Sequence, residues 1–270
     1  MTGITAYHGT APVRSRLMRL PVLTLLVGLS FHVMAREPRV VHVLVALCDN
    51  VHQGIVKVPT HLGNGQDPAG NLYWGAAFGV RTHFNKAAEW TRVPCDRAPE
   101  AHILERVAWR HRDSAVVLIA EAYDGRHIRE ATEDLLRYAS GAGVRTVNVN
   151  GEVVRAGGAA HLVAYTGHDG LMDFHLDRDF SGPPSNTREV IILACVSRSY
   201  FQEPLRATKA TPLLWTTGLM APEAYTLRAA LDGWVRHETA EHVRERAAAA
   251  YHNYQKCGIA GARRLLTTGW

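Results

Sequence analysis

A histidine and a cysteine each follow a short apolar run, and together these two side chains could perform nucleophilic catalysis. His168 ends the run in HLVAYTGHDGLMDF, and Cys195 ends the run in EVIILACVSRSYF, 27 residues later. Apolar runs of this length are typical of buried strands. Because ligands bind outside the carboxyl ends of parallel strands, neighbouring strands that end in His and Cys would bring a base and a thiol together. The pattern predicts a catalytic dyad.

The chemistry expected of this dyad is attack on a carbonyl carbon. A free cysteine thiol with a pKa of about 8.5 is mostly protonated at neutral pH, so it needs an activating imidazole nearby. Cys195 would then attack, His168 would protonate the leaving amine, and backbone N–H groups of Cys195 and Gly170 would hold the oxyanion. Gly170 suits this role because the absence of a Cβ lets a substrate approach its backbone.

The order of the two residues and the motifs that the sequence lacks exclude several other enzyme classes. Papain-like enzymes and α/β-hydrolases place the nucleophile before the histidine, whereas here His168 precedes Cys195. The sequence contains no G-x-S-x-G, C-x-x-C, P-loop, G-x-G-x-x-G or H-E-x-x-H motif. Nucleotide-binding, thioredoxin-like and zincin functions therefore lack their usual signatures, and we expect no cofactor.

Two alternatives to the dyad remain open. In the first, the segment GHDGLMDFHLDRD provides nitrogen and oxygen ligands from His168, Asp169, His175 and Asp177 to Zn²⁺ or another divalent ion, which would make the protein a metal-dependent hydrolase. In the second, the fold is retained without turnover, and the protein is a noncatalytic binding module.

The N-terminal segment has the pattern of a secretory signal. Three arginines precede the apolar run PVLTLLVGLSF, and Val33–Ala35 resembles a small-residue cleavage site. The run is too short to cross about 30 Å of hydrocarbon, so an uncleaved anchor is disfavoured. We predict a signal over residues 1–35 and a periplasmic or secreted mature chain without a membrane span. The alternative is a wrongly chosen start codon.

The charge of the chain argues against nucleic acid as a partner. Of 30 basic and 25 acidic side chains, three arginines and no acids lie in the predicted signal, which leaves 27 against 25. The sequence shows no basic face with interleaved aromatic residues that could follow a phosphate backbone. The expected partner is a peptide or protein substrate, and the oligomeric state is left open.

An oxidising compartment would permit a disulfide between two of the four cysteines. Cys95 and Cys257 both lie in loop-like surroundings, so they are the pair most able to meet, although they could equally stay free thiols. Cys48, inside the run VVHVLVALC, is expected to be a buried small apolar side chain.

Periodicity and turn residues predict one α/β domain over residues 36–270, a three-layer sandwich with a mostly parallel sheet flanked by helices and a helical C-terminal part. A long polar loop over 49–70 follows the first strand, and Asn150–Gly151 marks a hairpin over 147–155. The predicted strands are 40–47, 114–123, the runs before His168 and Cys195, and 212–216. The predicted helices are 71–84, 99–109, 126–140 and 202–209.

These residues resemble the clan CD cysteine peptidases, the caspase, legumain, gingipain and separase group with the caspase-haemoglobinase fold. That group pairs a strand ending in His-Gly with a later strand ending in Ala-Cys, which correspond here to His168 with Gly170 and Ala194 with Cys195. LACVS is similar to the Ala-Cys-x-Ser at the nucleophile of legumain and separase. The likeness covers roughly residues 40–234, with one departure, since Asp169 separates the histidine from the glycine. It implies a caspase-like fold and a cysteine endopeptidase.

The resemblance also implies that the loop after the first strand contributes to the pocket for the substrate's P1 side chain. Asp49 lies there, and a carboxylate facing the cleft would favour a basic P1 side chain. Asp173 or Asp177 could do the same from the loop that carries His168. Alternatively, Asp49 only caps a turn.

Overall fold

The computed structural model describes residues 1–6, 8–10 and 37–270, and the predicted signal falls largely outside them. The residues from Glu37 onward belong to one compact unit. None of the helices described there combines the length and hydropathy that crossing a membrane requires. In this part of the chain the strands are β1 Arg39–Ala46, β2 Trp90–Val93, β3 Ile103–His111, β4 Val116–Tyr123, β5 Val144–Val149, β6 Glu152–Gly157, β7 Leu162–Thr166, β8 Glu189–Leu193, β9 Thr211–Thr216 and β10 Leu266–Thr267. The helices are α1 Val80–Asn85, α2 Ile128–Ala139, α3 Ser197–Thr208, α4 Ala224–Val235, α5 Ala240–Gln255 and α6 Ile259–Leu265.

Eight of these strands form one mixed sheet in the order β10-β9-β8-β7-β1-β4-β3-β2, and β5 and β6 form a separate hairpin. The central run from β9 to β4 is parallel, and the antiparallel strands β10, β3 and β2 lie at the two ends. The chain passes from β1 to β4 on one side of β1 and later adds β7, β8 and β9 on the other. The order therefore reverses at β1 and β7, which is where parallel sheets bind ligands.

Alternate residues of β1 explain why helices cover both faces of the sheet. Val41, Val43 and Val45 pack into a core shared with α1, α4 and α5, whereas Leu44 and Ala46 pack on the opposite face against α2, α3 and the β5–β6 hairpin. A strand buried on both faces reads as a continuous apolar run, as this one does. The predicted α/β class with a parallel central sheet flanked by helices is confirmed.

The predicted helix over 71–84 is mostly a series of turns, and only α1 is helical. The Asn71 side chain holds these turns by accepting from Cys48 N at 3.0 Å and donating to Cys48 O at 2.8 Å. A Cβ on Gly75 would lie 2.0 Å from the Ala69 carbonyl oxygen, so the chain passes too close to itself there for a regular helix.

The predicted helix over 99–109 is also wrong, because residues 99–102 form bends and turns and residues 103–109 belong to β3. Antiparallel pairing with β4 gives it a two-residue period, with Val107 and Trp109 in one core and Ala108 in the other. By contrast, the predicted hairpin is present, and its turn has φ values of 54° at Asn150 and 84° at Gly151. Asparagine and glycine are the residues that such left-handed turns favour.

All four cysteines lie in the described part of the chain and are free thiols. Cys95 packs on the face of the sheet that carries the β5–β6 hairpin. Cys257 is exposed between α5 and α6, which pack on the other face. The Cys95–Cys257 disulfide that the sequence suggested is therefore absent, because the sheet separates the two residues.

Candidate active site

His168 and Cys195 follow neighbouring parallel strands at equivalent positions. The register of β7 and β8 pairs Thr166 with Leu193, and each candidate residue lies two positions beyond its paired residue. Adjacent strands run about 4.8 Å apart. The two side chains are therefore positioned at the same edge of the sheet, beside the reversal in strand order.

A cavity of about 410 Å³ opens at this edge, and both His168 and Cys195 line it. Three loops, which follow β1, β7 and β9, supply the rest of its wall. This wall is mostly apolar, and among the described residues Glu223 is its one acidic member. The apolar side chains include Ile55, Leu72, Met172, Leu219, Met220 and Pro222. A space of this size accommodates a substrate side chain and part of a peptide backbone.

Asp173 fixes the orientation of His168. The imidazole Nε2 lies 2.8 Å from Asp173 Oδ2, and because a carboxylate only accepts, Nε2 carries the hydrogen. The same Oδ2 accepts the backbone N–H of Gly54 at 2.9 Å, which ties the loop after β1 to the loop after β7. A Cβ on Gly54 would lie 2.4 Å from Asp173 Oδ1, so a larger residue there would displace the Asp173 carboxylate from its present position. A histidine held in this way keeps one tautomer and leaves Nδ1 for proton transfer.

A sharp turn between β8 and α3 presents the thiol. Val196 has φ 52° and ψ 26°, a left-handed conformation that is strained for a β-branched residue. Its N–H donates to Gly218 O at 2.9 Å, and Ser197 N donates to Thr216 Oγ1 at 3.1 Å. Strain of this kind persists where surrounding contacts hold it, most often at functional sites. The turn places Cys195 at the cavity just before the N-terminus of α3, where a negative charge is favoured.

The loop after β9 contacts the thiol directly. Met220 N donates to Cys195 Sγ at 3.4 Å, and Met220 O lies 3.6 Å from the same sulfur. These two contacts hold the sulfur in place at the cavity. The backbone N–H of Cys195 has no acceptor among the described residues, so it is available to a developing oxyanion.

The structure places two other predicted site residues away from the cavity. Gly170 is buried, and a Cβ there would lie 2.7 Å from the Phe174 ring and 3.1 Å from Thr132 Oγ1. It lies in a short 3₁₀ turn instead of facing the cavity, because the inserted Asp169 begins that turn. Gly170 is therefore poorly placed to donate to the oxyanion, and Cys195 remains the predicted donor that lines the cavity.

Asp49 caps the loop after β1 instead of lining the cavity. Its Oδ1 accepts the Val51 and His52 N–H groups, and its Oδ2 contacts His52 Nδ1 and Gln66 Nε2. Burial would raise the pKa of Asp49, but these hydrogen bonds outweigh it and lower the pKa. Both carboxylate oxygens of Asp49 are hydrogen-bonded within the loop. The expectation that Asp49 contacts a P1 side chain is therefore replaced by a role as a loop cap. Asp173, the other predicted substrate acid, faces His168.

The residues proposed as metal ligands do not converge. Within residues 1–6, 8–10 and 37–270, no three His, Cys, Asp or Glu side chains are grouped so that they could hold a metal ion. His175 and Asp177 are exposed, whereas His168 points to Asp173 and Asp169 is buried. In this arrangement His168, Asp169, His175 and Asp177 do not form a metal site.

Asp169 is an unusual buried carboxyl group beside the dyad. Its Oδ1 accepts Leu171 N–H at 3.0 Å, while its Oδ2 is buried without a hydrogen-bond partner in the described chain. Burial raises the pKa of Asp169 to about 7, the Leu171 hydrogen bond opposes this shift, and the charge of Asp173 adds to it. The group is therefore neutral below about pH 7 and caps the turn that carries Asp173.

Sequence reasoning missed the roles of Met220, Thr216 and Glu223. They come from the loop and strand beyond the nucleophile, and nothing in their types or spacing indicates that this loop folds back over the thiol. The serine of LACVS is the one local signal for the locked turn, because Ser197 is the residue that Thr216 holds.

No family model, curated protein or solved structure matches this chain. The case for a function therefore depends on the geometry of the site.

Proposed function

We propose that this chain is a cysteine-type hydrolase of peptide bonds with Cys195 as nucleophile and His168 as proton carrier. One observation carries the proposal. Both side chains follow neighbouring strands at equivalent positions and line the same cavity, and Asp173 holds the imidazole. Either residue alone would be unremarkable at a strand end. Their convergence on a cavity with a mostly apolar wall is what catalysis requires.

The residues present suffice for a two-step reaction. The thiol proton passes to His168 Nδ1 as Cys195 Sγ bonds to the carbonyl carbon, and the Cys195 N–H stabilises the oxyanion. His168 then returns the proton to the amine nitrogen, the C–N bond breaks, and a thioester remains. Water, deprotonated by the same imidazole, adds to the thioester, and the acid leaves as the thiol is restored. No cofactor takes part in these steps.

The strand order supports a caspase-like form of this enzyme. The parallel core runs β4-β1-β7-β8-β9, with the histidine after β7 and the nucleophile after β8, as the resemblance of the sequence implies. The position of Asp173 adds a carboxylate partner for the histidine. Export to the periplasm or the medium is a further part of the proposal, and an N-terminus near residue 36 on extracellular protein would test it.

A noncatalytic binding module is the second candidate, and one observation favours it. The glycine expected to donate to the oxyanion packs against Phe174 and Thr132, outside the cavity. A site with one backbone donor instead of two would stabilise the transition state less well. This candidate keeps the cavity and predicts peptide binding without turnover.

Selective labelling with a peptidyl acyloxymethyl ketone, read by mass spectrometry, tests the proposed function. The four cysteines form an internal series, because Cys48 is buried with its pKa raised to about 11, Cys95 is half-buried and Cys257 is exposed. We expect the probe to modify Cys195 alone. His168→Ala should abolish this labelling, whereas His52→Ala, which alters an imidazole outside the cavity, should not.

Labelling that follows exposure, with Cys257 modified ahead of Cys195, would contradict the proposal. Selective binding of peptides by the unlabelled protein without any turnover would favour the noncatalytic module instead.

A further inference from the structure

Glu223 lines the cavity without a cationic partner. It is half-buried, and both hydrogen bonds to its carboxylate, from Tyr225 OH at 3.0 Å and from Gln255 Nε2 at 3.3 Å, end on Oε2. Among the described residues no Lys, Arg or His side chain forms an ion pair with it. Glu89, by contrast, pairs with Arg228 of α4 at 2.6 Å. The Glu223 carboxylate is therefore oriented by two donors and keeps Oε1 unpaired.

An oriented, unpaired carboxylate in an apolar wall is suited to bind a cation. Burial raises the pKa of Glu223 and the Tyr225 hydroxyl lowers it, which shows that its surroundings disfavour the isolated charge. A bound ammonium or guanidinium group would offset that cost through a charge-assisted hydrogen bond.

Aromatic side chains beside Glu223 add a second feature that favours cations. The rings of Tyr225 and Tyr254 stack at 4.1 Å, and Phe78 meets Tyr254 edge-on at 5.1 Å. Phe78 and Tyr254 remain 41% and 45% exposed, so both side chains are accessible from solvent. His83 packs on the same Tyr254 ring, and burial, together with the charges of Arg228 and Lys86, lowers its pKa to about 4. His83 is therefore neutral at neutral pH and does not repel a cation from these rings. Aromatic rings attract organic cations through their faces.

The position of Glu223 relative to the thiol sets where the cation must lie. Met220 contacts Cys195 Sγ, and Glu223 is three residues further on, a span of at most about 11 Å of chain. The hydrogen bond from Glu223 N to Ala221 O at 2.9 Å folds this segment and shortens the span. A group bound by Glu223 therefore belongs to a residue at or next to the scissile bond.

We propose that Glu223 is the specificity-determining residue of the site and selects substrates with an ammonium or guanidinium group at or next to the cleaved bond. This inference rests on the proposed function, because a bound peptide is a substrate only if the protein hydrolyses it. The binding of the cation itself does not require turnover. The cation has two possible sources, a Lys or Arg side chain and a free N-terminal amine.

Equilibrium binding to the full chain carrying Cys195→Ala separates this proposal from catalysis. Isothermal titration would compare an acetylated peptide containing arginine with the same peptide containing citrulline, which is nearly isosteric and neutral. We expect about tenfold tighter binding of the arginine peptide, the effect of one hydrogen bond between charged groups. Adding Glu223→Gln should remove this preference, and Glu152→Gln, at an exposed acid away from the cavity, should keep it.

The arms of the titration identify the source of the cation and the ways the proposal can fail. A preference only for non-acetylated peptides, lost in Glu223→Gln, assigns the site to an N-terminal amine. Equal binding of all four peptides, with arginine or citrulline and with or without the acetyl group, no binding of any peptide, or a preference that survives in Glu223→Gln would each overturn the proposal. Glu223→Asp serves as a second variant, because it keeps the charge and should retain part of the preference. Absence of turnover by the Cys195-containing chain would count against the proposed function alone.

Discussion

Two histidine–carboxylate pairs lie on neighbouring strands of this protein, and they differ in what surrounds them. His42, within β1, has Nε2 3.0 Å from Glu121 Oε2, and His168, after β7, has Nε2 2.8 Å from Asp173 Oδ2. The two distances are nearly the same, but only the His168–Asp173 contact has hydrogen-bond geometry, because His42 Nε2 and Glu121 Oε2 are buried without a hydrogen-bond partner among the described residues. What separates the two is access to a cavity and to a thiol.

His42 is fully enclosed by the protein. Its Nδ1 accepts Gly157 N–H at 3.0 Å, and its ring stacks on Tyr138 at 5.2 Å. Glu121 also accepts from Arg106 Nε at 2.7 Å, so its charge is paired, and both His42 and Glu121 are fully buried. This pair therefore joins the β5–β6 hairpin to the sheet, and its complete burial keeps it out of reach of a substrate.

His168 has the opposite arrangement, because only Nε2 is engaged by a side chain and the ring borders the cavity. A histidine next to a carboxylate is therefore not by itself a mark of catalysis. The free ring nitrogen, the open space and the nearby nucleophile distinguish the candidate catalyst from the structural pair, and the predictions below test that distinction.

Replacement of the nucleophile should have the largest effect. We expect Cys195→Ala to lower peptide turnover by at least about 10³-fold, since the covalent route is lost, while the thermal midpoint changes little because the side chain borders open space. Cys257→Ala, an exposed cysteine outside the cavity, is the matched control and should retain full activity. A fluorogenic peptide library with Arg, Lys, Asn and Asp at P1 provides the assay, and full activity in Cys195→Ala would refute the proposed function.

Exchanging the two histidines for alanine should separate catalysis from stability. His168→Ala should lower turnover by orders of magnitude with little loss of stability, and combined with Cys195→Ala it should be little worse than either change alone. His42→Ala should instead lower the free energy of unfolding by about 2–4 kcal/mol, because it leaves a cavity and an unpaired Gly157 N–H. Urea unfolding measures stability. Turnover is measured at urea concentrations below the unfolding midpoint, where the variants are folded. Similar losses of stability in His168→Ala and His42→Ala would contradict the distinction between a catalytic and a structural histidine.

The carboxylate that holds the candidate catalyst should have an intermediate effect. Asp173→Asn keeps the shape of the side chain but can accept from Nε2–H only in one amide orientation, so we expect turnover to fall about 10- to 100-fold, by analogy with orienting carboxylates of other catalytic histidines. The loss should appear in kcat more than in KM and should change the pH–rate profile. Asp177→Asn, an exposed acid four residues later, is the control, and an unchanged pH profile in Asp173→Asn would mean that Asp173 does not act through His168.

The sequence was sufficient to predict that His168 and Cys195 lie at the same edge of the sheet, but not which residues support them. Strand-end positions follow from apolar runs and from the geometry of parallel sheets, so His168 and Cys195 could be paired without coordinates. The Asp173 contact depends on the 3₁₀ turn begun by Asp169, whose direction no periodicity encodes. That turn also carried Gly170 away from the predicted oxyanion position. Asp49 was misplaced because its carboxylate is saturated by its own loop, which is a tertiary outcome.

The two segments mistaken for helices show a similar limit in the fold. Residues 103–111 contain apolar side chains that fit either a helix or a strand, and pairing with β4 decides between them. Asn71 ends any helix before Val80 by bonding to the Cys48 backbone, 23 residues away. Long-range contacts, which local patterns do not contain, set both outcomes.

The last expected effect concerns Asp169 and appears as a dependence of stability on pH. Since its pKa in the folded protein, about 7, lies above its ordinary value of 3.8, the folded chain binds a proton that the unfolded chain releases between these values. Stability therefore falls as pH rises through this window, by about 1.4 kcal/mol for each pH unit, and is constant above it. Asp169→Asn keeps the acceptor for Leu171 N–H and removes the titration, so its stability relative to the unchanged chain should rise from pH 4 to pH 8. Urea midpoints at several pH values, with Asp177→Asn as control, measure this, and a difference independent of pH would show that Asp169 is not buried as a neutral acid beside the dyad.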